Sequence, residues 1–131
     1  MGQFGFAAIK AVRLIQSGKI KSPQEAWYLA TQDVIKSPSS RYKGCPRDAF
    51  LGLCEEGLIK GVTPGYYTKS KKNKLYAVTA VEILKETPEL AENKEALWLA
   101  VLNKLSEPYK NHNNQMDVVV SLWKNNLIKD P

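Results

Sequence analysis

The sequence predicts an all-α domain of about six helices, arranged as two tandem, internally duplicated three-helix units that share one core. Three observations predict it. Residues 48–60, D-A-F-L-G-L-C-E-E-G-L-I-K, recur without a gap 69 positions later as residues 117–129, D-V-V-V-S-L-W-K-N-N-L-I-K. Apolar residues return at the 3.6-residue spacing of a helix. Helix start and stop residues punctuate each segment.

At the same offset Ala8–Ile15 faces Ala77–Leu84. One inserted residue later Glu25–Ala30 faces Glu95–Ala100. Copy one is therefore 1–61, a basic linker is 62–71 and copy two is 72–131, within a single domain 1–131. Each copy alone leaves an apolar face uncovered, so the two are expected to pack on each other.

The first helix carries its stripe at Ala8, Ala11, Val12 and Ile15, and Gly18 ends it. The second starts at Ser22-Pro23-Gln24-Glu25, a capping box with proline at the first helical position. Its buried stripe is Trp27, Ala30 and Val34. The third begins after Gly44, with Cys45 at the N-cap, Pro46 at the first position and Asp48 at the third, where a carboxylate suits the helix dipole. It ends at Gly57, which aligns with Asn126. These two residue types most readily adopt the left-handed C′ conformation, and a Leu-Ile pair follows each. In the linker, Thr63-Pro64-Gly65 signals a turn. A short β-hairpin there is unforced, and Ser70 is a cap for the fourth helix. Asn93 caps the fifth. Val118-Val119-Val120 alone reads as strand, but its alignment with Ala49-Phe50-Leu51 makes the sixth segment a helix.

A chain of 131 residues, 44% hydrophobic and 24% charged, has ordinary globular composition and can bury a respectable core. No apolar run approaches the ~20 residues that span a bilayer. Phe4–Ile15 is broken by Lys10 and Arg13, with no small-residue cleavage site after it, so it reads as a core helix rather than a signal peptide. The expected location is the cytoplasm, with no membrane partner. Cys45 and Cys54 would lie on opposite faces of one helix, ~13 Å apart along its axis, and cannot bridge. One histidine and no C-x-x-C leave a zinc site without ligands. No cofactor fingerprint is present.

The net charge of +6 is uneven. Residues 1–61 hold nine basic and five acidic groups. Residues 62–76 hold four lysines and no acid, and 77–131 hold six basic and eight acidic groups. Two basic stretches stand out, 36–47 (Lys36, Arg41, Lys43, Arg47) and 60–74 (Lys69, Lys71, Lys72, Lys74). Either is an ordinary solvated face or a field for an acidic partner such as nucleic acid. Tyr42, Tyr66 and Tyr67 lie among these cations and either stack on bases or pack at the rim. The end of the third helix also resembles a winged-helix recognition helix, with 62–68 as its wing, but residues 37–45 are too long for the usual turn.

Gly44-Cys45-Pro46 is the strongest candidate for covalent chemistry. A cysteine at a helix N-terminus between Lys43 and Arg47 should favour its thiolate; a buried small apolar residue is the bland alternative. His112 aligns with Lys43. Cys45 and His112, oriented by Asn113 or Asp117, would fill the roles of a thiol hydrolase if the two loops meet. Helix capping explains Asp48 and Asp117 more simply. Cys54, Trp27, Trp98 and Trp123 read as core.

The blocks Gly44-Cys45-Pro46-x-x-Ala49-Phe50-Leu51-Gly52-Leu53-Cys54-Glu55-Glu56-Gly57-Leu58, His112-Asn113-x-Gln115-Met116-Asp117-Val118-Val119 and Leu122-Trp123 resemble a family of small bacterial proteins known only as a domain of unknown function. The resemblance spans the whole chain. It implies bacterial origin and brings no activity or cofactor.

Three functional expectations follow. The first is a binding module for nucleic acid or another acidic macromolecule. The second is a thiol-dependent enzyme or redox sensor centred on Cys45. The third is a protein-interaction scaffold or homodimer. Binding is favoured over catalysis.

Overall fold

The computed structural model describes residues 2–129. Among them are six α-helices: α1 (Gln3–Gln16), α2 (Pro23–Val34), α3 (Gly44–Glu55), α4 (Lys71–Glu86), α5 (Lys94–Lys104) and α6 (Gln115–Lys124). Short 3₁₀ turns at Ser40–Tyr42 and Pro88–Glu92 precede α3 and α5. Among the described residues there is no strand, so the fold is all-α and segment 62–70 is neither a hairpin nor a wing.

The caps follow the sequence closely. Ser22 Oγ accepts from the Glu25 amide (3.2 Å), Ser70 Oγ from Asn73 (3.3 Å) and Asn93 Oδ1 from Ala96 (3.0 Å). Each satisfies one of the orphan amides of a first turn. The expected third-helix endings occur twice. Gly57 (φ 74°) and Asn126 (φ 60°) are left-handed, and Leu58 and Leu127 donate back to Leu53 and Leu122 at 3.1 and 3.0 Å. The start of α3 differs from expectation. Lys43 is its N-cap, so Cys45 is the second helical residue and Asp48 lies a turn deeper than a cap. A Cys thiol is a poor acceptor, and neither Lys43 at the start of α3 nor Asn114 at the start of α6 makes a side-chain cap hydrogen bond. Asp117 does sit at the third position of α6, and Asn114 Nδ2 donates to it at 2.8 Å.

The helices do not pair only with their sequence neighbours. α1 lies against α2 but also across α6, α4 lies across α3, and α3 meets α6 at the centre. The first helix of each half thus crosses the third helix of the other. After α3 and α6 the chain ends meet in an isolated antiparallel bridge, Ile59 to Ile128. Lys60 N donates to Leu127 O (2.9 Å), and Lys129 N donates to Leu58 O (2.8 Å). At the 69-residue offset Ile59 corresponds to Ile128, Lys60 to Lys129 and Leu58 to Leu127, so exchanging the halves maps the bridge onto itself.

The two crossings are tightest at corresponding points. A Cβ on Gly5 would stand 2.9 Å from Ser121 Cβ, and a Cβ on Gly52 would stand 2.6 Å from Lys74 Cα. Lys74 is the counterpart of Gly5, and Ser121 is the counterpart of Gly52. Each crossing therefore needs one glycine, and copy one supplies it both times. Around these crossings one core forms, with Trp27 stacked on Phe50 (centroids 5.2 Å) and Tyr76 edge-on to Trp98 (5.0 Å).

Candidate functional site

The basic linker is a strap laid across α3. Asp48 and Glu55, seven residues apart and so on one face of α3, hold it down. Asp48 Oδ1 accepts from Thr68 Oγ1 (3.1 Å), and Glu55 Oε1 accepts from the amides of Tyr67 (2.7 Å) and Thr68 (3.2 Å). Gln24 Nε2 donates to Tyr67 O (3.2 Å), and Tyr67 Oη to Thr63 O (2.6 Å). Glu55 and Glu56 share Lys74, each 2.7 Å from Nζ. The Lys74 ammonium and the Tyr67 amide hold the Glu55 carboxyl below its ordinary range, and the bonds to Glu55 and Glu56 raise Lys74. Asp48 is thus a strap anchor rather than a dipole cap.

Two clefts flank the strap, and Thr68, Lys69 and Ser70 line both. The larger, about 830 Å³, runs between the end of α3 and α4, with Glu55, Glu56, Tyr66, Lys71, Leu75 and Val78 on its walls. The smaller, about 540 Å³, lies on the other side against Gln24, Arg47, Asp48 and Leu51. Arg47 comes from the first basic stretch and Lys69 from the second, so the two stretches meet here.

The remaining candidate cations have varied settings. Arg41 folds back onto α2, donating to Ile35 O (2.7 Å) and Gln32 Oε1 (3.5 Å). Lys43 donates to Asn114 Oδ1 (2.5 Å) and lies 5.7 Å from the Phe4 ring centre. Lys72 stands 3.6 Å from Glu107, and Lys74 is held by two glutamates. Arg47 touches its neighbour Asp48 (3.2 Å). Lys36, Lys69 and Lys71 are exposed and make no side-chain ion pair or hydrogen bond among the described residues.

The loops before α3 and α6 do approach, through Lys43 and Asn114. No side-chain hydrogen bond or ion pair among the described residues links Cys45 to His112, Asn113 or Asp117. His112 packs on Trp98 (centroids 6.2 Å) with Nε2 3.7 Å from Glu95, both on α5, and its Nδ1 is buried without a partner. Asp117 is buried and pairs with Lys94 and Asn114. Asn113 is exposed, its amide bonded to Gln115 Oε1 (2.6 Å). Cys45 is half-buried and free, and no hydrogen bond among the described residues joins it to His112. Cys54 is wholly buried, and burial pushes its thiol far up.

A family description matches residues 1–129, that of a family of unknown function, DUF6979. The chain belongs to this family. No curated protein and no solved structure matches it. The DUF6979 chain has no helix among its described residues long and apolar enough to cross a membrane. It also shows no group of three or more His, Cys, Asp or Glu side chains placed to hold a metal ion. The site residues that sequence reasoning missed are Glu55 and the anchoring role of Asp48. The available signal was their i, i+7 spacing beside an acid-free linker.

Proposed function

We propose that this DUF6979 protein binds nucleic acid at the rim of the strap. One observation carries the reading: Arg47 and Lys69, from basic stretches far apart in sequence, line one cleft, with Lys71 beside it. Ser70 caps α4 at the same rim, so the positive end of that helix adds to the field. Arg41 and Lys74, tied to the protein, drop out of the contact set, and Lys36 and Lys43 are left as peripheral steering charges.

Anisotropy of fluorescein-labelled oligonucleotides tests this. Three phosphate contacts on a single strand give a slope of log K against log salt of about −2, hence roughly 16-fold weaker binding from 50 to 200 mM salt. The combined variant R47Q/K69Q/K71Q should lose that slope. Absence of salt-dependent binding to every oligonucleotide, or a triple variant that binds like the parent, would end the reading.

A further inference from the structure

The larger cleft has two features that phosphate binding leaves unused. Its walls include aliphatic side chains, Leu75 at 50% exposure and the half-buried Val78, and above them stands Tyr66 at 98% exposure. That tyrosine is not on a loose loop. On one side Gly65 N donates to Glu55 O (3.3 Å). On the other side Tyr67 is fixed by the Glu55 carboxylate and by Thr63. With the backbone pinned at both flanks, only side-chain rotamer entropy is left to lose when a flat partner stacks on the ring. The carboxylates in the cleft are already countered: Glu55 is occupied by two amides and Lys74, and Glu56 by the same lysine.

Resting on the nucleic-acid reading, we infer that the protein takes single strands, with an unstacked base in this cleft against Tyr66 and the flanking phosphates on Lys69, Lys71 and Arg47. The volume, about 830 Å³, is that of a small-ligand pocket. An apolar concavity beside unpaired cations matches a chain that presents flat apolar rings and phosphates alternately. A duplex keeps its bases stacked inside a charged rod and offers such a cleft nothing but phosphate.

The test compares a 12-residue oligo-dT, its oligo-U counterpart, an abasic 12-residue strand and a 12-base-pair duplex, by anisotropy at 50 mM salt. The homopolymeric strands should bind at least ~10-fold tighter than the abasic strand and the duplex. Tyr66→Ala should weaken them by about 5- to 150-fold, the contribution of one stacked base. Its salt slope should not change. Tyr66→Phe should stay within about threefold, since the ring and not the hydroxyl does the stacking. Tyr66 is exposed, so both variants should melt with the parent by circular dichroism. Equal binding of duplex, abasic and base-bearing strands, or an unaffected Tyr66→Ala, overturns the single-strand inference while leaving the nucleic-acid reading intact. No binding of any of the four overturns both.

Discussion

Gly52→Ala probes the packing that places the strap. The added Cβ would lie 2.6 Å from both Cα and Cβ of Lys74. Ordinary carbon contacts lie at about 3.5–4.0 Å, so α4 must retreat by about 1 Å, and no rotamer change avoids it because Cα is backbone. Overpacking of this kind costs about 1–3 kcal/mol. The case falls at the upper end, because a rigid helix must move along its whole crossing. Alanine's better helix propensity returns about 1 kcal/mol. The net expectation is a loss of about 2 kcal/mol. With an unfolding entropy of about 2.1 cal/mol/K per residue, this 131-residue chain should melt about 7 °C lower. Circular dichroism melts and urea titrations of parent and variant read this directly. Because α4 carries Lys71 and the strap leads into it, oligonucleotide affinity should fall as well. Lys74→Ala should not rescue Gly52→Ala, since the clash with Cα remains. A Gly52→Ala protein as stable as the parent would refute the close approach, and with it the account of why copy one carries glycine here.

Ser121→Ala should be neutral or stabilising by up to about 1 kcal/mol, because Ser121 Oγ is buried without a partner beside Gly5; a lower urea midpoint would mean that the hydroxyl has a partner. Glu55, whose carboxyl is held low by Lys74 and the Tyr67 amide, should keep the strap anchored as pH falls to the ordinary glutamate value near 4.3. The contribution is fully present above that unfolded value and is lost as pH drops through the lower folded one. The Tyr67 and Thr68 amide resonances report it, and a midpoint at or above the ordinary value would contradict the assignment. Native protein should be alkylated at Cys45 but not at Cys54, which is buried with its thiol pushed up, and denaturant should expose the second thiol. Equal labelling rates in the native state would show that α3 opens readily.

Several positions related by the 69-residue offset carry different residues. The structure divides them. Gly5 against Lys74 and Gly52 against Ser121 differ because each crossing has room for one side chain. Lys43 against His112 differs because one reaches across to Asn114 and the other packs on Trp98 of its own half. The strap, which has no counterpart in either copy, is where the unpaired Lys69 and Lys71 stand. Its anchors were hidden because Asp48 recurs as Asp117, which invites the same explanation for both. Asp117 lies in the first turn of α6 and pairs with Lys94 and Asn114, whereas Asp48, two residues further into its helix, takes Thr68.

The sequence by itself determined the six helices, the caps at Ser22, Ser70 and Asn93, and the left-handed stops at Gly57 and Asn126. Each depends on interactions within a turn or two of chain, so neighbouring residues specify it. Only the tertiary structure decided that first and third helices cross between halves, that Glu55 and Asp48 hold the strap, and that Lys74 is bound while Lys69 and Lys71 are not. Those outcomes depend on which helix lies opposite, and a lysine's partner is set by the crossing rather than by its place in the chain.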